Sequence, residues 1–91
     1  MYEWDEAKRQ SNLAKHGVDF ADMEWFDWDT AVFMRTDVVD YEFRESAVGL
    51  IGDILHVVIY TDRELELTRI ISMRRASTYE TKIWNHAQTQ S

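Results

Sequence analysis

The chain has 91 residues, a formal net charge of −7 and no cysteine. The missing thiols exclude disulfides, thiolate catalysis and cysteine-ligated zinc, and the charge argues against a general nucleic-acid binder because phosphates favour positive partners. The length and the 45% hydrophobic content predict one folded domain over residues 1–91. No stretch approaches the roughly 20 apolar residues that cross a bilayer, so we expect a cytoplasmic protein without a membrane segment.

The first predicted element is an amphipathic helix. Asp5 is a suitable N-cap, and Gly17 is suited to the left-handed residue that ends a helix. Between them Lys8, Asn12 and Lys15 recur at steps of four and three, which places them on one helical face. Such a polar stripe is most often a solvated surface, so alone it does not indicate a site.

The next segment predicts a second helix and then a sheet. Asp19 can cap a helix of two or three turns whose aromatic side chains pack on the sheet. Hairpin connections, including a turn at Gly52-Asp53, predict mainly antiparallel pairing. Segment 54–61 is apolar on both faces and should lie centrally. The four predicted strands cover residues 30–35, 44–51, 54–61 and 65–74. A polar loop is predicted at 37–42, with a short addition of strand at Val38, Val39 and Tyr41 as the alternative, and a turn is predicted at 62–64.

The last predicted element is a C-terminal helix. Ser77 and Glu80 have the spacing of a capping box, which predicts a helix from Thr78 to Ala87 with Tyr79 and Ile83 facing inward. The fold class is therefore α+β, with two N-terminal helices, a four-stranded mainly antiparallel sheet and a C-terminal helix.

Positive charge is concentrated near the C-terminus. Residues 67–91 contain four cations and one acid, a local charge of +3 in an acidic chain. Arginine suits a phosphate because its planar fork donates two parallel hydrogen bonds. On a regular strand Arg74 shares a face with Ile70 and Arg75 with Arg69, so the neighbours point apart. Which of Arg74 and Arg75 faces a site stays open, and a surface ion pair is the alternative for each arginine.

The residue types also suit RNA cleavage by its own 2′-hydroxyl. This reaction needs a base, an acid and cations around the phosphorane. His16 lies at a helix end beside Lys15, and imidazole exchanges protons near neutral pH. Lys8, Arg44 and Arg74 can supply cations, although spacing fixes no pair of them. Metal chemistry is poorly supported, because the histidines share no ligand spacing.

Two separated stretches resemble a known family. The first is Tyr2-x-Trp4-Asp5-x-x-Lys8-x-x-x-Asn12-x-x-Lys15-His16-Gly17-Val18-x-Phe20. The second is Arg69-Ile70-Ile71-Ser72-x-Arg74-x-Ala76-x-x-x-Glu80. In order and spacing both resemble the signatures of the BrnT family of bacterial toxins.

The resemblance implies a RelE-like fold and an endoribonuclease toxin of a type II toxin–antitoxin pair. It also implies a BrnA-like antitoxin that neutralises the toxin and supplies the DNA-binding part, so that operator DNA is contacted only through the antitoxin. Neither a metal nor a cofactor is implied. With the chemistry above, the candidate catalytic residues are His16, Lys15, Arg44, Arg74 and Glu80, and the candidate substrate-binding residues are Lys8, Asn12, Arg69 and Arg75.

Two alternatives stay open. Glu80 is either the base or only the partner in the capping box. The chain as a whole is either a nuclease or a catalytically inactive toxin-like module that binds protein in a repressor complex. In the second case the acidic segment 19–45 is the functional surface.

Overall fold

The computed structural model describes residues 1–90, which form a mixed α+β fold with one five-stranded sheet. The sheet order is β1-β5-β4-β3-β2, with β1 parallel to β5 and every other pair antiparallel. In chain order the elements are β1 (Tyr2–Trp4), α1 (Glu6–His16), a 3₁₀ helix (Phe20–Trp25), β2 (Val32–Val39), β3 (Glu42–Ile51), β4 (Ile54–Glu64), β5 (Leu67–Arg75) and α2 (Thr78–Gln88).

The sheet corrects the predicted strand count of four. Tyr2–Trp4 forms a fifth strand, in which Tyr2 lies opposite Thr68 and Trp4 opposite Ile70. Three residues are too few for a periodic pattern to show, which is why this strand was not predicted. The antiparallel pairing of the remaining strands and the central position of β4 are confirmed.

Two of the predicted loops are also wrong. The segment expected as a polar loop at 37–42 continues β2 and begins β3, and the chain turns at Asp40 and Tyr41. Both have positive φ, as a type I′ hairpin turn requires. Likewise β4 runs through the turn predicted at 62–64, and the reversal lies at Leu65 and Glu66. Cross-strand pairing therefore overrides the polar composition of these hairpin ends.

The first helix is confirmed and the second is corrected. Asp5 accepts hydrogen bonds from the first turn of α1, and Gly17 ends the helix at φ +70°. The segment after Asp19 is a 3₁₀ helix and not an α-helix. Phe20 and Met23 lie three residues apart and are both fully buried, which fits the three-residue turn of a 3₁₀ helix better than the 3.6-residue α turn.

The core lies between one face of the sheet and the layer formed by α1 and the 3₁₀ helix. Phe20 and Met23 pack there with Val58, Ile70 and Met73. The opposite face is covered by α2, which contacts β2 and β3. The face beneath α1 and the 3₁₀ helix is therefore apolar, and the face that carries α2 also has polar side chains.

A bulge in β5 changes which side chains share a face. Ile70 lies opposite Tyr60 and Ser72 opposite Ile59, so Ile71 is an extra residue in the ladder. Both Ile70 and Met73 consequently face the core, although they are three residues apart. The expectation that Arg74 shares a face with Ile70 is therefore wrong, and Arg74 points away from the core.

Gly49 should be intolerant of a side chain. A Cβ atom at Gly49 would lie 2.5 Å from Cζ of the buried Phe26 ring. We expect Gly49→Ala to lower the free energy of unfolding by about 1–3 kcal/mol through overpacking, measured by urea denaturation. Gly52→Asn is the matched control, since nothing lies within 4 Å of its Cβ and asparagine tolerates positive φ. Equal stability of the two variants would contradict the argument.

Candidate active site

A cleft of about 260 Å³ opens on the sheet face that carries α2. Arg74 from β5 and Arg44 from β3 line it, together with Tyr79 and Glu80 from α2. Strand alternation brings Arg74 to this face, because its neighbour Met73 points into the core. The structure thus brings together three of the five predicted catalytic residues, Arg44, Arg74 and Glu80.

The side chain of Arg74 is fixed by Glu80. Its Nη1 and Nη2 donate to the two carboxylate oxygens of Glu80 at 2.7 Å each. Glu80 in turn accepts a 2.7 Å hydrogen bond from the backbone N–H of Ser77, which completes the predicted capping box. One carboxylate therefore caps α2 and orients the arginine.

These contacts decide between the two roles considered for Glu80. The hydrogen bond from Arg74 lowers the pKa of Glu80 from 4.5 to about 2, and the Ser77 bonds act in the same direction. A carboxylate with so low a pKa is a weak base near neutral pH. The geometry therefore favours Glu80 as the capping and orienting partner and not as the proton acceptor.

One edge of the Arg74 guanidinium carries no hydrogen bond within the described residues. Nη1 and Nη2 face Glu80, and Nη1 also donates to the carbonyl of Arg75 at 3.3 Å. Within residues 1–90, no acceptor is hydrogen-bonded to Nε. The side chain is 39% exposed, so the edge formed by Nε and the outer Nη2 hydrogen can meet two oxygens of a phosphate.

The other arginines of the cleft are partly neutralised. Arg44 donates to Glu42 through Nε at 3.2 Å, and Arg35 pairs with Asp37 at 3.1 Å. These ion pairs show how a chain of net charge −7 accommodates a cluster of cations. Arg44 and Arg74 each have a carboxylate partner, and in both cases the hydrogen bonds to it leave part of the guanidinium without an acceptor among the described residues.

The predicted residues of α1 lie elsewhere. Lys8, Lys15 and His16 line a second groove, between α1 and residues Ile71 and Ser72 of β5. The sequence analysis assigned residues of this stripe and the C-terminal arginines to one catalytic set. The structure instead separates them, because α1 packs beside β5 whereas Arg74 points towards α2.

Asn12 is part of the scaffold. It is only 7% exposed, and its amide donates to the carbonyls of Val18 and Met73 at 3.0 and 2.8 Å. Its oxygen accepts from the backbone N–H of Met73 and the hydroxyl of Ser72. The side chain thus pairs with both backbone groups of Met73, as a neighbouring strand would, beyond the end of β1.

The remaining predicted residues lie outside the cleft. Arg69 forms a 2.7 Å ion pair with Glu3 across the β1–β5 pair. Arg75 is exposed and lies opposite His56. Of the two neighbouring arginines, it is therefore Arg74 that faces the cleft.

Tyr79 was predicted to face inward, which is wrong. Its side chain is 71% exposed and lines the cleft. The position of Tyr79 could have been predicted from its neighbour Glu80. The capping box and the pair with Arg74 hold the first turn of α2, which contains both residues, at the cleft.

Comparison with known proteins identifies the family. A family model described as the ribonuclease toxin BrnT of a type II toxin–antitoxin system matches residues 4–80. The chain belongs to the BrnT family. It is also similar to the Brucella abortus ribonuclease toxin BrnT, known from a 1.1 Å crystal structure. The two share 41% sequence identity with a TM-score of 0.69, over 86% of this chain and 99% of the Brucella chain.

Three further searches of this BrnT-family chain found no match. No curated protein sequence is significantly similar to it. Across residues 1–90, no group of three or more His, Cys, Asp or Glu side chains is arranged to hold a metal ion. In the same residues, no helix is long and apolar enough to cross a membrane.

Removing the Asn12 amide should destabilise the protein. Asn12→Ala leaves the backbone groups of Met73 and the carbonyl of Val18 without their partner, so we expect a loss of about 2–4 kcal/mol in the free energy of unfolding. Chemical denaturation measures it, with Ser11→Ala on the exposed face of α1 as the control. A stable Asn12→Ala protein with impaired RNA binding would instead support the predicted substrate contact.

The Arg74–Glu80 pair should make stability depend on acid pH. The folded-state pKa of Glu80 lies below its ordinary value, so the stabilisation is present above pH 4.5 and is lost as the pH falls towards 2. We expect a loss of about 2 kcal/mol over this interval, since the arginine is partly exposed. Denaturation of the wild type and Glu80→Gln at several pH values tests this, and identical slopes in the two proteins would contradict it.

Proposed function

We propose that the chain is a metal-independent endoribonuclease in which the cleft of Arg44 and Arg74 binds the reacting phosphate. The 2′-oxygen of the RNA bonds to the adjacent phosphorus as the bond from that phosphorus to the 5′-oxygen of the next nucleotide breaks. The 2′-hydroxyl loses its proton to water and the leaving 5′-oxygen takes one from water, so the products are a 2′,3′-cyclic phosphate and a 5′-hydroxyl. The open edge of Arg74 then donates to the phosphoryl oxygens, where negative charge accumulates in the transition state. The observation that carries this proposal is the bidentate Arg74–Glu80 pair, which leaves that edge oriented and free.

Arginine makes a metal ion unnecessary at this step. A guanidinium stays charged at all relevant pH values and meets two phosphoryl oxygens at once. Arg44 adds a second charge to the lining of the cleft. Both functions, neutralisation and orientation, are those that a divalent cation provides in other nucleases.

The groove on α1 has a different role in this proposal. Lys8, Lys15 and His16 line it outside the arginine cleft. We infer that its cations bind neighbouring phosphates of the RNA, which a chain of several nucleotides can reach on both sides of β5. Proton transfer by His16, the prediction from the sequence, is tested separately by His16→Ala.

The proposal includes the partner and the cellular setting. A toxin of this family is paired with an antitoxin, and we propose a BrnA-like antitoxin that neutralises the nuclease in the cytoplasm and carries the contact with operator DNA. The negative net charge of this chain supports an antitoxin as the DNA-binding partner, since the charge disfavours direct binding of the chain to duplex DNA. The relation to RelE-like toxins remains the structural expectation from the sequence.

A second candidate function is an inactive protein-binding module. It is favoured by the ion pairs that occupy Arg35 and Arg44, and by the exposed apolar side chains of the β2–β3 hairpin, Val38, Tyr41 and Phe43. This hairpin lies in the acidic segment 19–45. In that case the pair of Arg74 and Glu80 serves stability alone.

Cleavage of RNA by purified protein in the presence of EDTA tests the leading proposal. We expect Arg74→Ala to lower the rate about 100-fold or more, the usual effect of removing a transition-state donor. Arg74→Lys should restore little, because lysine cannot keep both the Glu80 pair and the open edge. Arg75→Ala should have a smaller effect, since Arg75 lies outside the cleft.

Three outcomes decide between the candidates. Metal-free cleavage that depends on Arg74 supports the arginine cleft. A rate that collapses with His16→Ala but not with Arg74→Ala places the chemistry in the groove on α1. A folded protein that cleaves no RNA, and binds the antitoxin as well with Arg74→Ala as without, supports the inactive module.

A further inference from the structure

Tyr79 has no assigned role in the arginine chemistry, yet it lies at the margin of the cleft. Tyr79 is 71% exposed, so its ring is accessible to a ligand. It lines the cleft together with Arg44 and Arg74. An aromatic face beside phosphate-binding cations is the combination that single-stranded nucleic-acid sites use.

The backbone that carries Tyr79 is held in place. The next residue, Glu80, is hydrogen-bonded to Arg74 and to Ser77 at 2.7 Å. The first turn of α2 therefore cannot shift without breaking the pair that orients the arginine. Tyrosine has only two side-chain torsions, so ordering its ring under a stacked ligand costs less conformational entropy than ordering a long flexible side chain.

We propose that Tyr79 forms a nucleobase subsite, in which a base of single-stranded RNA stacks on the phenol ring while a phosphate of the same strand meets Arg74. The proposal rests on the assignment of the arginine cleft to RNA. It adds a contact with the base, which the arginines do not make. Stacking of this kind accepts all four bases, because each has a π face.

The structure also suggests an alternative ligand for the ring of Tyr79. Tyr79 borders a second, apolar groove along α2, where its neighbours are Ile83 and Ala87. A protein segment could cover the ring from that side. The position of Tyr79 in the cleft with Arg44 and Arg74 favours RNA, and the experiment below includes the protein partner as an outcome.

Binding of two matched oligomers tests the subsite. The probes are a short fluorescein-labelled 2′-O-methyl oligouridylate, which cannot cleave itself, and an abasic oligomer of equal length. We expect the wild type to bind the base-containing oligomer about tenfold more tightly, as one stacked base provides. Tyr79→Ala should abolish this preference, and Tyr79→Phe should keep it because the ring remains.

Tyr41 provides the matched control. It is a fully exposed tyrosine at the tip of the β2–β3 hairpin, so Tyr41→Ala should retain the preference. Thermal unfolding of both alanine variants should match the wild type, because neither ring is buried.

The outcomes separate the subsite from the nuclease proposal. A preference that survives Tyr79→Ala, or is absent from the wild type, overturns the subsite even if RNA is cleaved. A Tyr79-dependent preference in a protein that cleaves no RNA supports the subsite and overturns the nuclease alone. If Tyr79→Ala weakens antitoxin binding while the RNA preference is intact, the ring belongs to a protein surface and the subsite is wrong.

Discussion

The fold depends on one amide side chain. Asn12 pairs with both backbone groups of Met73 and also reaches Val18, so it joins α1, the following segment and β5 at a single point. β1 ends before this position and leaves the edge of β5 unpaired there. A carboxamide has the same donor and acceptor as a peptide group. The side chain can therefore extend the sheet where the backbone of β1 does not.

In the proposed function, the arginine cleft reconciles an acidic protein with an anionic substrate. Within the cleft each arginine has a carboxylate partner, so the long-range field remains that of an acidic surface. Recognition then relies on short-range geometry and not on attraction from a distance. Glu80 contributes most, because it occupies one edge of Arg74 and directs the other outward.

The sequence predicted the secondary-structure elements better than it predicted where their side chains lie. Caps such as Asp5 and the Ser77 box are local signals, so the helix ends were confirmed. β1 was not predicted because its three residues form a strand only through pairing with β5. The bulge at Ile71 determines on which face of the sheet each side chain of β5 lies, and no local sequence pattern indicates this bulge. The polar stripe on α1 was likewise divided by packing, with Asn12 buried and its neighbours exposed.

In the proposed function, the double use of Glu80 links the toxin's activity to its abundance in the cell. Substitutions of Glu80 remove both the partner of Arg74 and a capping hydrogen bond of α2, so they lower the folded fraction together with the cleavage rate. Bacteria that survive expression of the toxin can then carry substitutions that destabilise the protein, so that it is degraded. The amount of toxin protein must therefore be measured in every surviving strain. Only variants that accumulate to normal levels give information about the chemistry of the cleft.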